Sequence, residues 1–135
     1  MKIRQLFVSG AVFAGFVSPA LAHHSNAMFD HDKVVEVTGT VREFQWTNPH
    51  VFIELTVAGA SGPQDYSVEC SAPAVLRAHG WKFNSLKAGD KVVVKVHPLK
   101  NGSVGGGLIS VSKDGAVVGD GGNLSPGVTD AGEKY

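Results

Sequence analysis

The side chains of this sequence best suited to chemistry are six histidines and one cysteine. Two histidines are adjacent, His23-His24, and directly follow Ser18-Pro19-Ala20-Leu21-Ala22. Cleavage after Ala22 would let His23 offer its α-amine and its imidazole to one metal ion, with His24 adding a second imidazole once the backbone bends. Amine and imidazole nitrogens in tetragonal geometry favour Cu(II), which also heads the divalent affinity order. His50, opening a strand after Pro49, is a candidate third ligand, and His31 is another. The competing reading makes His23 and His24 polar residues of a mobile arm.

Trp46, Asn48 and His50 form a second constellation around one turn. They could build a rim that recognises a partner or a small ligand, with an aromatic wall, an amide and a titratable imidazole. The alternative is turn chemistry, in which Asn48-Pro49 shapes the reversal, Trp46 covers the end of the fold and His50 caps a strand. Cys70 precedes a short helical pattern, where a thiol can become reactive. It also shares the parity of Tyr66 and Val68, which predicts a small buried side chain. His79 could pair with Cys70 only if the helix folds back, and it equally suits a helix C-terminus. Ser25, His24 and Asp30 have the residue types of a hydrolytic triad, but a flexible arm cannot preorganise them. No complete catalytic set emerges, and a non-enzymatic protein is expected.

The elements that must position these residues begin with a processing signal. Lys2 and Arg4 precede an uncharged apolar run from Leu6 to Val17, and small residues follow at the A-x-A positions. This is the three-part pattern of a secretory signal peptide over residues 1–22. The run is short of the roughly 20 residues that span a bilayer, and no later segment is apolar enough to cross. Cleavage leaves 113 residues from His23 with ten basic and twelve acidic side chains, a net charge of −2. That balance excludes a nucleic-acid footprint, which needs a basic surplus. Lys82, Lys87, Lys91, Lys95 and Lys100 could make a modest basic face for an anionic partner, but read better as a solvated surface. A lone cysteine excludes a disulfide framework.

Residues 23–33 read as a polar arm, and period-two patterns follow. Val35, Val37, Gly39 and Val41 share one face, while Phe44 and Trp46 have the opposite parity, which predicts a bulge near Arg42-Glu43. His50 to Val57 alternates with Val51, Ile53, Leu55 and Val57 inward, and Gln64 to Cys70 forms a third strand. Ser71 is positioned to cap a two-turn helix with Pro73 in its first turn and Gly80 at its stop. Lys91 to His97 is a strand with Val92, Val94 and Val96 inward, which places His97 toward solvent. Leu108 to Lys113 is another, and Asp114-Gly115 signals a hairpin into Ala116-Val118. The order predicts an all-β fold with one short helix, a five-stranded OB-like barrel over residues 34–118; a small open β-sandwich is the alternative. Residues 119–135 read as a flexible Gly-rich tail.

Several segments resemble a bacterial family of small exported proteins, domain of unknown function 6152. They are His23-His24-Ser25, Phe29-Asp30, Val37-Thr38-Gly39-Thr40-Val41, Trp46-Thr47-Asn48-Pro49-His50-Val51, Ser71-Ala72-Pro73, Gly80-Trp81, Ser85-Leu86-Lys87-Ala88-Gly89-Asp90 and His97-Pro98-Leu99. The resemblance runs from His23 to about Lys113 and implies export without supplying an activity. At Cys70 the family pattern takes Gly or another small residue as often as Cys. Separately, the N-terminal His chelate resembles, at that single residue, the histidine brace of copper monooxygenases. Two functions are therefore expected to compete: a periplasmic binding or accessory module for a protein or small ligand, and a copper protein using His23, His24 and His50.

Overall fold

The computed structural model describes residues 26–122, so His23, His24 and Ser25, the signal segment and most of the expected tail lie outside it. A 3-10 turn, Asn26–Met28, leads into β1 (Val35–Gln45), β2 (Phe52–Gly59), β3 (Gly62–Glu69), α1 (Pro73–Ala78), β4 (Lys91–Pro98), β5 (Gly106–Lys113) and β6 (Ala116–Asp120). The fold is all-β with one short helix. Hydrogen-bonded neighbours run β3-β2-β1-β4-β5-β6, and β3 also pairs with β5. That last pairing is parallel, spans Val68↔Gly106 and Glu69↔Gly107, and joins the first five strands in a ring of OB-like order. β6 adds a sixth strand outside the ring through its hairpin with β5.

The alternating valines make this arrangement. Val41, Val51, Ile53, Leu55, Val68, Val92, Val94 and Val96 all point inward and are buried, with Leu76, Trp81, Leu86, Leu108 and Val111 closing the core. Burial of this set is the main favourable term for the fold. The parity switch in β1 is a bulge: Val41 faces Leu55 and Glu43 faces Glu54, leaving Arg42 as the extra residue. Phe44 and Trp46 thereby return to the core side and pack against it. Gly39 sits where the strand bends, and a Cβ there would come within 3.0 Å of the Thr56 carbonyl and of Val57. In the β5–β6 turn Asp114 and Gly115 both take positive φ, 52° and 79°, as a two-residue hairpin requires.

Three local expectations need correction. Ser71 does not cap α1: the cap residue is Ala72, and no side chain bonds the first turn. The Ser71 hydroxyl instead lies 2.6 Å from the Gly121 carbonyl and 2.7 Å from that of Gly122, and its single proton ties the chain after β6 to the helix entrance. Second, β6 continues through Gly119 to Asp120, past the last apolar residue of the pattern. Both glycines that follow are buried, because backbone packing needs no apolar side chain. Third, His97 does not reach solvent. It points away from the core as its parity requires, yet it is 1% exposed. The arm lies across it. Phe29 bridges Leu99, the Asp30 N–H donates to Pro98 O at 2.8 Å and the Lys100 N–H to Met28 O at 3.0 Å. The His97 Nδ1–H donates to Lys33 O at 2.8 Å, and the His31 ring meets it edge-on at 4.7 Å.

Candidate functional site

The connection between β1 and β2 carries Trp46, Asn48 and His50 at one end of the ring. Its shape is set by the Asn48-Pro49 cis peptide and by the Thr47 hydroxyl, which donates to His50 O at 2.9 Å. Asn48 and Pro49 are exposed, whereas Trp46 and His50 are half-buried. The two rings turn to different neighbours. Trp46 meets Phe44 edge-on at 5.6 Å, and the Arg77 guanidinium of α1 lies 5.6 Å from its ring centre. Its indole N–H is buried and has no acceptor among the described residues. A cation over an indole face is a stabilising contact; a buried donor without a partner is a cost.

His50 turns toward the end of β3. Its Nδ1 lies 2.9 Å from Cys70 O and 3.4 Å from Glu69 Oε1. A carbonyl can only accept, so the shorter contact places the proton on Nδ1 and the ring lone pair on Nε2. Metal-bound histidines are held this way, with the second nitrogen donating to a carbonyl or carboxylate. Among the described residues no three His, Cys, Asp or Glu side chains gather as an ion would need. His50 therefore needs ligands from outside residues 26–122 if it is to hold a metal.

Glu69 was not identifiable as part of a site from its spacing. The strand register reveals it: Phe52 faces Glu69, Glu69 faces Gly107 and Gly107 faces His97. These four form one outward row across β2, β3, β5 and β4, and His50 reaches its second member. Gly107 leaves a gap that Phe29 fills, since a Cβ there would lie 3.1–3.3 Å from three atoms of the phenyl ring. The arm is thus seated directly beside Glu69. An open cleft of about 370 Å³ lies elsewhere, lined by Glu36, Val37, Thr38, Val57, Ala58, Gln64, Tyr66 and Val104. There the Tyr66 hydroxyl donates to Gly105 O at 3.2 Å, and burial raises its pKa.

The remaining candidates take structural roles. Cys70 is fully buried in the core, and desolvation, with the Glu69 charge second, pushes its thiol pKa far up. A thiolate is the reactive form, so the native protein should resist alkylation by iodoacetamide at pH 8 and react within minutes in denaturant. Rapid modification of the folded protein, read by intact mass, would contradict this burial. His79 ends α1, and its Nδ1 lies 2.9 Å from Asp120 Oδ1, so it ties the helix to β6 and does not meet Cys70. The five lysines at 82, 87, 91, 95 and 100 are exposed. No described helix is long and apolar enough to cross a membrane.

Comparison with curated proteins found no match. A family defined only as a family of unknown function, DUF6152, matches residues 11–108. That span takes in the Trp46–His50 turn, Glu69, Cys70 and the β3–β5 closure, and on it the chain belongs to this family.

Proposed function

We propose that the chain is an exported, non-enzymatic periplasmic module that binds a partner protein or small ligand at the rim of Trp46, Asn48 and His50. The Trp46 indole carries the reading. Its buried N–H has no acceptor among the described residues, an omission that costs about 1–3 kcal/mol. A ligand that displaces the cover of this N–H and brings a carbonyl or anionic oxygen to it would remove that cost, with Arg77 on the same ring to favour negative charge. Export is supported by the n-region, apolar run and A-x-A pattern of residues 1–22. A photocrosslinker placed at exposed Asn48 in the exported protein should trap one defined product. Trp46→Phe keeps the apolar body and removes the donor, and should cut the yield about tenfold, as one hydrogen bond of about 1.4 kcal/mol dictates. Undiminished yield from a natively folded Trp46→Phe protein would reject the rim.

A second reading, a copper protein, is favoured by one observation: the His50 proton is held on Nδ1 by Cys70 O, which turns Nε2 into the metal-binding nitrogen. His23, with its freed α-amine, and His24 would complete the set. Protein processed to His23 should bind Cu(II) at least about tenfold more tightly than protein with one Ala added before His23, because the amine–imidazole chelate is lost. Equal affinities by competition titration would dismiss the terminal chelate.

A further inference from the structure

We propose that the open cleft between the start of β1, the β2–β3 hairpin and the β4–β5 loop is a second binding site, and that it takes a free primary amine carried on an unbranched apolar stem. The site does not depend on the Trp46 rim. β1 runs from the cleft toward the Trp46–His50 turn and β2 returns from it, so Glu36, Val37 and Thr38 meet Val57 and Ala58 at the opposite end of the two strands.

The topology leaves this end open. β3 pairs with β5 at Val68 and Glu69, while its pairing with β2 continues back to Gly62. The hairpin therefore overhangs the closure of the ring. Val57 and Tyr66 keep the inward parity of Leu55 and Val68, and Val37 keeps that of Val41. The deeper member of each pair is fully buried, whereas Val37, Val57 and Tyr66 are half-buried. The wall that faces them is the β4–β5 loop, which brings Val104, 49% exposed. That wall is fixed in place. The Tyr66 hydroxyl donates to Gly105 O at 3.2 Å, and a Cβ on Gly105 would lie 2.8 Å from Ser67 O. The Ser103 N–H donates to Asn101 Oδ1 at 2.9 Å, which stiffens the turn before Val104. A preformed cleft loses little freedom when it is filled.

The lining selects the ligand. Val37, Val57, Val104 and the Tyr66 ring offer apolar surface, and covering it is favourable. Glu36 is the one carboxylate on the lining, and no lysine or arginine lines it. Lys95 is the cross-strand neighbour of Glu36, but among the described residues Glu36 closes no ion pair. An apolar body with a cationic head suits such a cleft, and an anionic head would be repelled by Glu36. A primary ammonium group has three donors, enough for Glu36 and for the oxygens of Thr38 and Gln64 on the same lining. Length follows from the strands. From β1 to β3 is two strand spacings, about 10 Å, which an extended stem of about eight carbons covers. A lysine side chain, with its four-carbon stem, would cross half of it, so a free amine fits better than a peptide.

Titration with butylamine, hexylamine and octylamine, followed by amide chemical shifts, tests the site. Shifts should move at the start of β1, in the β2–β3 hairpin and around Val104, and should saturate. Each added methylene should tighten binding about threefold to fourfold, and octanoate should bind at least about tenfold more weakly than octylamine. Glu36→Gln, at an exposed position, should weaken octylamine about tenfold and leave octanol unchanged. Val104→Ser, also exposed, should weaken octylamine and octanol alike, by about threefold. Undiminished octylamine binding to Glu36→Gln would overturn the choice of an amine, and affinity independent of stem length would overturn the apolar stem. Absence of saturation, or shifts centred on the Trp46–His50 turn, would overturn the site itself.

Discussion

Trp81→Ala should cost about 3–5 kcal/mol of folding free energy, the range for deleting a large buried aromatic ring. Trp81 is 2% exposed and joins three elements that are distant in sequence. It follows Gly80, whose φ of 85° turns the chain out of α1. Its ring lies 5.9 Å from Phe44 of β1 and packs on Gly119 of β6, where no Cβ would fit. Its indole N–H donates to Asp120 O at 2.8 Å. Removing the ring empties the seat of β6 as well as part of the core. Trp81→Phe separates the two contributions: it keeps most of the apolar area and loses the donor, for about 1–1.5 kcal/mol. Urea unfolding gives both numbers, and hydrogen exchange locates the damage. Amides of β6 should lose protection first in Trp81→Ala, while β1 and β2 keep theirs. A loss below about 1 kcal/mol for Trp81→Ala would mean that β6 is held by its hairpin with β5 and not by this ring.

What could be read in advance follows from how local each determinant is. Period-two valines and the parity switch at Arg42 act over a few residues, so the strands, the bulge and the inward set were legible. So was the Asp114-Gly115 turn, whose positive φ values suit those residues. The β3–β5 pairing joins Val68 to Gly106, and no local pattern announces a contact of that span. Glu69 was therefore missed, because its neighbours in the outward row come from other strands. The errors at Ser71 and His97 have the same origin. Ser71 has cap chemistry, but the carbonyls after β6 claim its proton. His97 has outward parity, but outward is not the same as wet once an arm lies over the strand. The Trp46–His50 turn was legible as a unit, whereas its division between Arg77 on one side and Glu69 on the other required the fold.

That arm is the object of the second large effect. Phe29→Ala should cost about 3 kcal/mol, the lower end for a buried phenylalanine. The ceiling has a physical reason: the arm can lift off the ring, so no substitution within it can cost more than its docking free energy. Phe29 is 3% exposed although it belongs to the polar arm, and its burial comes from the space left by Gly107. Gly107→Ala places a methyl group 3.1–3.3 Å from three ring atoms, and should push the ring back by a few tenths of an ångström at a cost of about 1–3 kcal/mol. In a Phe29→Ala background the same methyl meets no ring, so the second loss should nearly vanish. Such non-additivity is the signature of direct contact. Hydrogen exchange supplies the independent check. The Asp30 amide, bonded to Pro98 O, and the Lys100 amide, bonded to Met28 O, should exchange quickly in Phe29→Ala, while β4 and β5 stay protected within the ring. If the strands lost protection together with the arm, the arm would be part of the core's cooperative unit. If the two amides stayed slow, Phe29 would not be what holds the arm. In either case the arm could no longer be treated as a separately docked segment carried by Phe29. Retained strand protection beside fast arm exchange would leave the ring intact as a platform, with the cover of His97 governed by one phenyl ring on one glycine.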